Sequence, residues 1–355
     1  MPPSVVLVTG VSRYLGGRLA ARLAGDPAID RVIGVDTVPP SRPLAALLGR
    51  TEFVRADIRN PLIARVISAA DVDTVVHLSI SATPGSAGGR ASMKEMNVIG
   101  TMQLLAACQK SASVRRLVLK STTAVYGSSS RDPALFTEEM EPKGLPRSGY
   151  AKDSVEIEGY VRGFGRRRPD VALSVLRFTN FIGPRIESQL TRYFGLPAVP
   201  TVLGYDPRVQ LLHEDDALEV LRLAATGDRP GTVNVGGAGV LLLSQAIRRA
   251  GRVPVPVPSP AVTAVGRLIR RAGLVDFSPE QMRFLNFGRV VDTTRLRKDF
   301  GYTPRYTTVE AFDDFVRARG LRPVVDPELV ARAERTALGA LDRLSTLDPT
   351  GSGRG

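Results

Sequence analysis

The sequence predicts an α/β protein, a doubly wound parallel sheet with a smaller C-terminal lobe. Three observations predict it. The first is the opening stretch, where the apolar run Val5-Val6-Leu7-Val8 passes through Thr9-Gly10-Val11-Ser12-Arg13-Tyr14-Leu15-Gly16 into a helix-like segment, Gly17 to Ala24. The second is a strand-like run that ends in an acid, Arg31-Val32-Ile33-Gly34-Val35-Asp36. The third is the steady alternation of such runs with helix-like segments through the first half of the chain. Continuous Val/Leu/Ile runs separated by helices mark parallel strands covered on both faces.

A buried strand that turns through glycine into a helix N-terminus can hold a pyrophosphate, because the helix dipole and free N–H groups face the anion and glycine lets the backbone approach. Asp36 then stands where a carboxylate accepts the ribose hydroxyls of a dinucleotide. It favours NAD over NADP, since it would repel a 2′-phosphate. Further strands are expected at Glu52 to Asp57, Thr74 to Leu78, Leu117 to Lys120 and Val171 to Phe178. The arrangement is Rossmann-type. After about residue 181 the pattern loosens, and Pro and Gly thicken through Val253 to Pro260. The expected organisation is a dinucleotide-binding domain over 1–180, a mixed substrate lobe over 181–330 partly interleaved with it, and a C-terminal helix and tail over 331–355.

The single cysteine, Cys108, excludes an internal disulfide. No stretch approaches the roughly 20 apolar residues that span a bilayer, and the N-terminus enters a strand directly, so a cytoplasmic protein is expected. The net charge of +13 raises the question of nucleic acid. Yet 42 of the 48 basic residues are arginine, which a GC-rich genome also produces, and the clusters at 166–168, 248–252 and 267–271 lack interleaved aromatics. No nucleic acid is expected as partner. A basic amphipathic helix, Ala261 to Arg271, is expected to pack its apolar face on the body rather than on a membrane. No cluster has metal-ligand spacing.

Dispersed motifs then occur in order: Thr9-Gly10 with Gly16, Asp36, Ala56-Asp57-Ile58-Arg59, Val76-His77-Leu78, Asn97-Val98-Ile99-Gly100-Thr101 and Ser121-Thr122-Thr123-Ala124-Val125-Tyr126-Gly127. Leu176 to Arg185, Leu212-His213-Glu214-Asp215-Asp216, Asn234-Val235-Gly236-Gly237 and Asp292-Thr293-Thr294 follow. Over roughly residues 5 to 318 the chain resembles the extended short-chain dehydrogenase/reductases, the NAD-dependent epimerase/dehydratase group that includes UDP-glucose 4-epimerases. The resemblance implies NAD as cofactor, a sugar or nucleotide sugar as substrate, and a homodimer paired through two long helices. It implies cofactor contacts from Thr9, Gly10, Arg13, Tyr14, Leu15, Gly16, Asp36, Leu78, Asn97 and Lys152, with Asp57 and Ile58 beside the adenine. His77 is expected to be structural. Where the family has its middle turn glycine this chain has Arg13, whose guanidinium either points to solvent or pairs with the pyrophosphate.

The active site departs further. The family's acid/base pair is a Tyr with a Lys four residues later, beside a Ser/Thr hydroxyl that orients the substrate. Thr122 matches the hydroxyl. Downstream, Ser148-Gly149-Tyr150-Ala151-Lys152-Asp153-Ser154 contains no Tyr-x-x-x-Lys. Either Lys152 is the family lysine and Ser148 takes the tyrosine place, or Tyr150 is the tyrosine and Ser154 takes the lysine place. Tyr150 and Lys152 can cooperate only if a non-helical bend over Pro146 to Lys152 brings them to one side. Asn180, Arg185 and Arg208, with Arg192, are candidates for substrate contacts, although Val209 occupies the family's arginine position. His213, Asp215 and Asp216 are expected to tie the two lobes together. Two readings stay open: an NAD-dependent epimerase/dehydratase-like enzyme using Thr122, Tyr150 and Lys152, or a non-catalytic NAD-binding protein.

Overall fold

The strands form where the apolar runs lie. In a computed structural model, which describes residues 3–82, 89–141, 149–258 and 279–324, they are β1 (Val5–Thr9), β2 (Arg31–Asp36), β3 (Glu52–Arg55), β4 (Thr74–His77), β5 (Arg116–Thr122) and β6 (Ala172–Phe178). The chain then leaves through β7 (Asn180–Ile182), β8 (Ala198–Val202), β9 (Arg208–Val209) and β10 (Leu211–His213), and returns as β11 (Gly231–Val235). The central sheet has seven strands in the order β11-β6-β5-β4-β1-β2-β3, each pair parallel. The order reverses beside β1, so the crevice over the C-terminal ends of β1 and β4 is where such a sheet binds ligands.

Successive side chains of a strand face opposite sides, and both faces of β1 are apolar. Val6 and Val8 pack with Leu19 and Leu23 of α1 (Tyr14–Ala24) and with Val220 and Leu221 of the helix Glu214–Thr226. Val5 and Leu7 pack on the other face with Ile67, Leu104, Cys108, Ile157 and Val161. These last belong to α3 (Ile63–Ala69), α5 (Gly100–Lys110) and α6 (Gly149–Arg167), α2 being the short Arg42–Ala45 and α4 Gly89–Lys94. In α1, Leu15, Leu19 and Leu23 recur every four residues and are buried, which is the stripe a helix presents to a sheet. A π-helical turn, Glu95–Ile99, joins α4 to α5.

The smaller lobe has its own core around Tyr193, Phe194, Leu211, Phe312 and Phe315, drawn from α7 (Gln189–Gly195), β10 and the helix Thr308–Ala318. Because β11 belongs to the central sheet, residues 181–330 do not all lie in that lobe. The amphipathic segment 261–271, the loop residues 146–148 and the C-terminal helix and tail fall outside the described residues. Among the described residues no helix is long and apolar enough to cross a membrane.

Candidate functional site

Gly10 closes β1 with φ +77, donating its N–H to Val35 O at 2.8 Å. A Cβ on Gly16 would stand 2.1 Å from Gly10 O, so only glycine lets α1 begin this close to the turn. Arg13 caps α1 in extended conformation (φ −101, ψ 159), which any residue adopts, so the turn forms without a middle glycine. The Arg13 side chain is exposed and has no hydrogen bond or ion pair to a described residue. Asp36, ending β2, accepts from Ser12 N at 3.1 Å and Thr37 N at 2.7 Å, which draws the turn toward the second strand. The uncapped first N–H groups of α1, the close backbone approach at Gly16 and the acid at Asp36 together fit a dinucleotide.

Around this turn, Thr9 Oγ1 lies 2.8 Å from His77 Nδ1 and accepts the N–H of buried Leu78 at 3.1 Å. His77 Nε2 meets Thr101 Oγ1 at 2.8 Å. Burial, with the Lys120 charge second, pushes the His77 pKa down to about 3, so the ring is neutral and held between the Thr9 and Thr101 hydroxyls. Asn97, in the π-helical turn, accepts Ser81 N at 2.8 Å and donates to Ser81 O at 2.9 Å. It therefore fixes the segment leaving β4. Asp57 is gripped by the Arg59 guanidinium (2.6 Å), whose hydrogen bonds hold its carboxyl below the usual range, and Ile58 is buried against Gly100.

Thr122 ends β5, and its hydroxyl accepts Ala124 N at 3.2 Å as the chain enters a single 3-10 turn, Thr123–Tyr126. Ser121 points the other way, to Glu158 at 2.6 Å. Glu158 also takes Arg177 at 2.7 Å, Arg177 donates to the Tyr126 hydroxyl at 2.8 Å, and that hydroxyl donates to Asn234 Oδ1 at 2.8 Å. This network is buried throughout. Arg177 is held in its charged form by Glu158 against the cost of burial, and its motif gave no sign of the partner.

The expected bend before Lys152 is absent over the described part. Tyr150 and Lys152 both lie in α6, and two residues on a helix are about 200° apart. Tyr150 packs on the core between sheet and helices, whereas Lys152, half-buried, has no hydrogen bond or ion pair to a described residue. Ser154 donates to Tyr150 O at 2.8 Å, an intrahelical bond that explains how the helix tolerates it. Ser148 falls outside the described residues. Sequence reasoning missed the neighbour of these residues, buried Asp153, which accepts both terminal nitrogens of Arg90 (2.5 and 2.7 Å).

On the substrate side, Asn180 is half-buried at the start of β7, next to Thr179, whose buried hydroxyl has no partner among the described residues. Arg185 is anchored by Nε to Glu214 Oε1 at 3.3 Å and leaves half its side chain exposed. Arg208, exposed, donates to Ala134 O at 2.8 Å. The Arg192 guanidinium lies 3.8 Å from the Glu187 carboxylate. His213 caps the helix Glu214–Thr226 (α8) through Asp215 N, stacks on Tyr306 at 3.8 Å and meets Asp314 at 3.2 Å. Asp216 accepts the Tyr302 hydroxyl and the N–H groups of Arg305 and Tyr306. These residues bind the molecule together, and no group among the described residues could hold a metal.

Residues 6–236 match the model of the NAD dependent epimerase/dehydratase family. The chain belongs to this family. An uncharacterised protein of Mycobacterium tuberculosis is 54% identical over 347 residues, covering 98% of this epimerase/dehydratase-family chain and 92% of its own. A UDP-glucose 4-epimerase of Thermotoga maritima, solved with UDP-glucose, matches with TM-score 0.68 at 20% identity over 89% of this chain and 98% of the other. A dTDP-glucose 4,6-dehydratase of Bacillus anthracis, solved in complex with NAD, matches with TM-score 0.68 at 19% identity over 89% and 96%. At such identities the two structures establish a shared fold.

Proposed function

We propose that this chain is an NAD-dependent oxidoreductase acting on a hydroxyl of a sugar or nucleotide sugar. The observation that carries the reading is the cradle at Gly10, Gly16 and Asp36, set in the same crevice of the sheet as the Thr122 hydroxyl. The solved relatives of this fold support it, one holding NAD and one UDP-glucose. Thr9, Gly10, Arg13, Tyr14, Leu15 and Gly16 would line the pyrophosphate, Asp36 would take the adenosine ribose, and Asp57 and Ile58 would flank the adenine. Leu78 and Asn97 shape the floor, and Lys152 would hold the second ribose. Bound NAD supplies a hydride acceptor. Thr122 orients the substrate hydroxyl and Tyr150 takes its proton, which requires the first turn of α6 to rearrange, since Tyr150 faces the core in the free chain. Asn180, Arg185 and Arg208 would meet the sugar or its diphosphate, guanidinium being suited to that anion. The exposed apolar residues Met102 of α5 and Tyr160 of α6 support a homodimer through these two helices.

The position of Tyr150 favours a second reading, a protein that binds NAD without turning over. One experiment separates the two. The purified protein is titrated with NAD by calorimetry, then incubated with NAD and UDP-glucose or dTDP-glucose while products are followed by NMR. Conversion that collapses in Tyr150→Phe supports the enzyme; conversion unchanged in that variant removes the role given to Tyr150. NAD binding with no conversion of any sugar supports the second reading.

A further inference from the structure

Lys120 is the residue of the crevice that neither the motifs nor the proposed chemistry uses. It lies two residues before Thr122 on β5 and so shares its face of the strand, opposite to Ser121. Its ammonium donates to Ile80 O at 3.0 Å, just beyond the end of β4. An ammonium has three donors, so two have no partner among the described residues. No carboxylate pairs with it among the described residues. The charge nearest to it in effect is Arg13, the cap of α1 on the other side of the turn, and this like charge adds to burial in disfavouring its protonated form. Arg13 also lacks an acidic partner among the described residues. Two cations from different elements thus border the glycine turn with no described carboxylate to neutralise them, at the N-terminus of a helix whose first N–H groups have no side-chain cap.

We infer that Lys120 and Arg13 form a two-cation clamp for the pyrophosphate of the bound dinucleotide, Arg13 from the side of α1 and Lys120 from the side of β5. The inference rests on the dinucleotide reading of the site. It gives the residue at the middle-glycine position a binding role in a turn whose backbone any residue can adopt: a guanidinium there adds a direct charge contact. It also gives a reason for retaining a half-buried lysine that costs the free protein stability.

Calorimetric titration of NAD, ADP and AMP into the wild-type chain and into Lys120→Met tests it. Lys120→Met is expected to weaken NAD and ADP by about tenfold or more, the effect of losing one hydrogen bond to a charged group, and to leave AMP unchanged. Lys120→Arg should retain most of the affinity. The melting temperature of the free Lys120→Met protein should be unchanged or higher, whereas a merely structural lysine would lower it. Unchanged NAD and ADP affinity, or an equal fall for AMP, overturns the clamp. If Lys120→Met does not fold, Arg13→Gln, altered at an exposed position, carries the same expectation for NAD and ADP. A wild-type chain that binds no NAD overturns the dinucleotide reading itself; one that binds NAD equally in both variants overturns the clamp alone.

Discussion

Lys120 makes a prediction that depends on proton count. In the free protein its pKa is pushed down to about 8 by burial and by Arg13. A pyrophosphate beside it favours the charged form and raises the pKa again. Below about 8 the lysine is already protonated and NAD affinity should be flat. As pH rises through about 8 binding must take up a proton, so affinity should fall, and Lys120→Met should abolish the fall. The neighbouring ionisable ring, His77, has a pKa of about 3 and stays neutral over this range, so it does not supply the same profile. Calorimetry between pH 6.5 and about 9.5 reads this directly. The same depressed pKa means that the protonated lysine destabilises the free fold below about 8, a penalty relieved as pH rises toward its unfolded value. None of this was legible in the sequence. A lysine closing a strand reads as a solvated end, and only the approach of Ile80 and the α1 turn encloses it. Asp36 and Gly16 were legible because the constraint on each is local: an acid at a strand end, and a glycine where a helix begins against its own turn.

At the scale of elements, the β5–α6–β6 unit depends on the Glu158–Arg177 pair at 2.7 Å, both side chains nearly inaccessible. Breaking a buried pair leaves an uncompensated charge, so Glu158→Ala should destabilise the protein by about 3–5 kcal/mol, whereas replacing both partners by apolar residues should recover most of that loss. Urea denaturation of the wild type and the two variants checks it. The pair escaped sequence analysis because its members are far apart in the chain and each reads as an ordinary helix or strand charge. Strand positions were readable, because Val, Leu and Ile runs of the right length report burial on both faces. Helix α6 was the harder case. The need for Tyr150 and Lys152 to meet suggested a bend, but Ser154 is satisfied on Tyr150 O and Asp153 on Arg90, so the helix continues through both residues.

For the whole molecule, Glu214 is the junction. It is fully buried at the start of α8 and accepts the Tyr14 hydroxyl at 2.7 Å, Arg185 N at 3.0 Å and Ile186 N at 2.7 Å. A Cβ on Gly183 would come within 2.6 Å of its side chain, so the contact is tight as well as polar. Glu214→Gln keeps the shape but removes the charge paired with Arg185 Nε and replaces one carboxylate acceptor by a donor, so that Tyr14, Arg185 and Ile186 can no longer all be accepted as before. It should cost about 1–3 kcal/mol in stability, as an unsatisfied buried group does. It should also weaken NAD, because Tyr14 belongs to the turn. A variant that loses stability but binds NAD with full affinity would show that the junction and the turn are independent. The motif containing Glu214 was visible in the sequence, but the partners of Glu214 were not, since they come from two segments distant in the chain, Tyr14 and 183–186.

The return of β11 to the edge of the sheet bears on how the polypeptide is made. Until residues 231–235 emerge from the ribosome, β6 is a bare edge with its ladder of N–H and C=O groups unpaired. A nascent chain halted near residue 180 would carry that sticky border, prone to add a strand from another copy. A fragment cut between β6 and β11 would expose that edge permanently, so the first half of the sheet is complete only once the chain has run past the excursion.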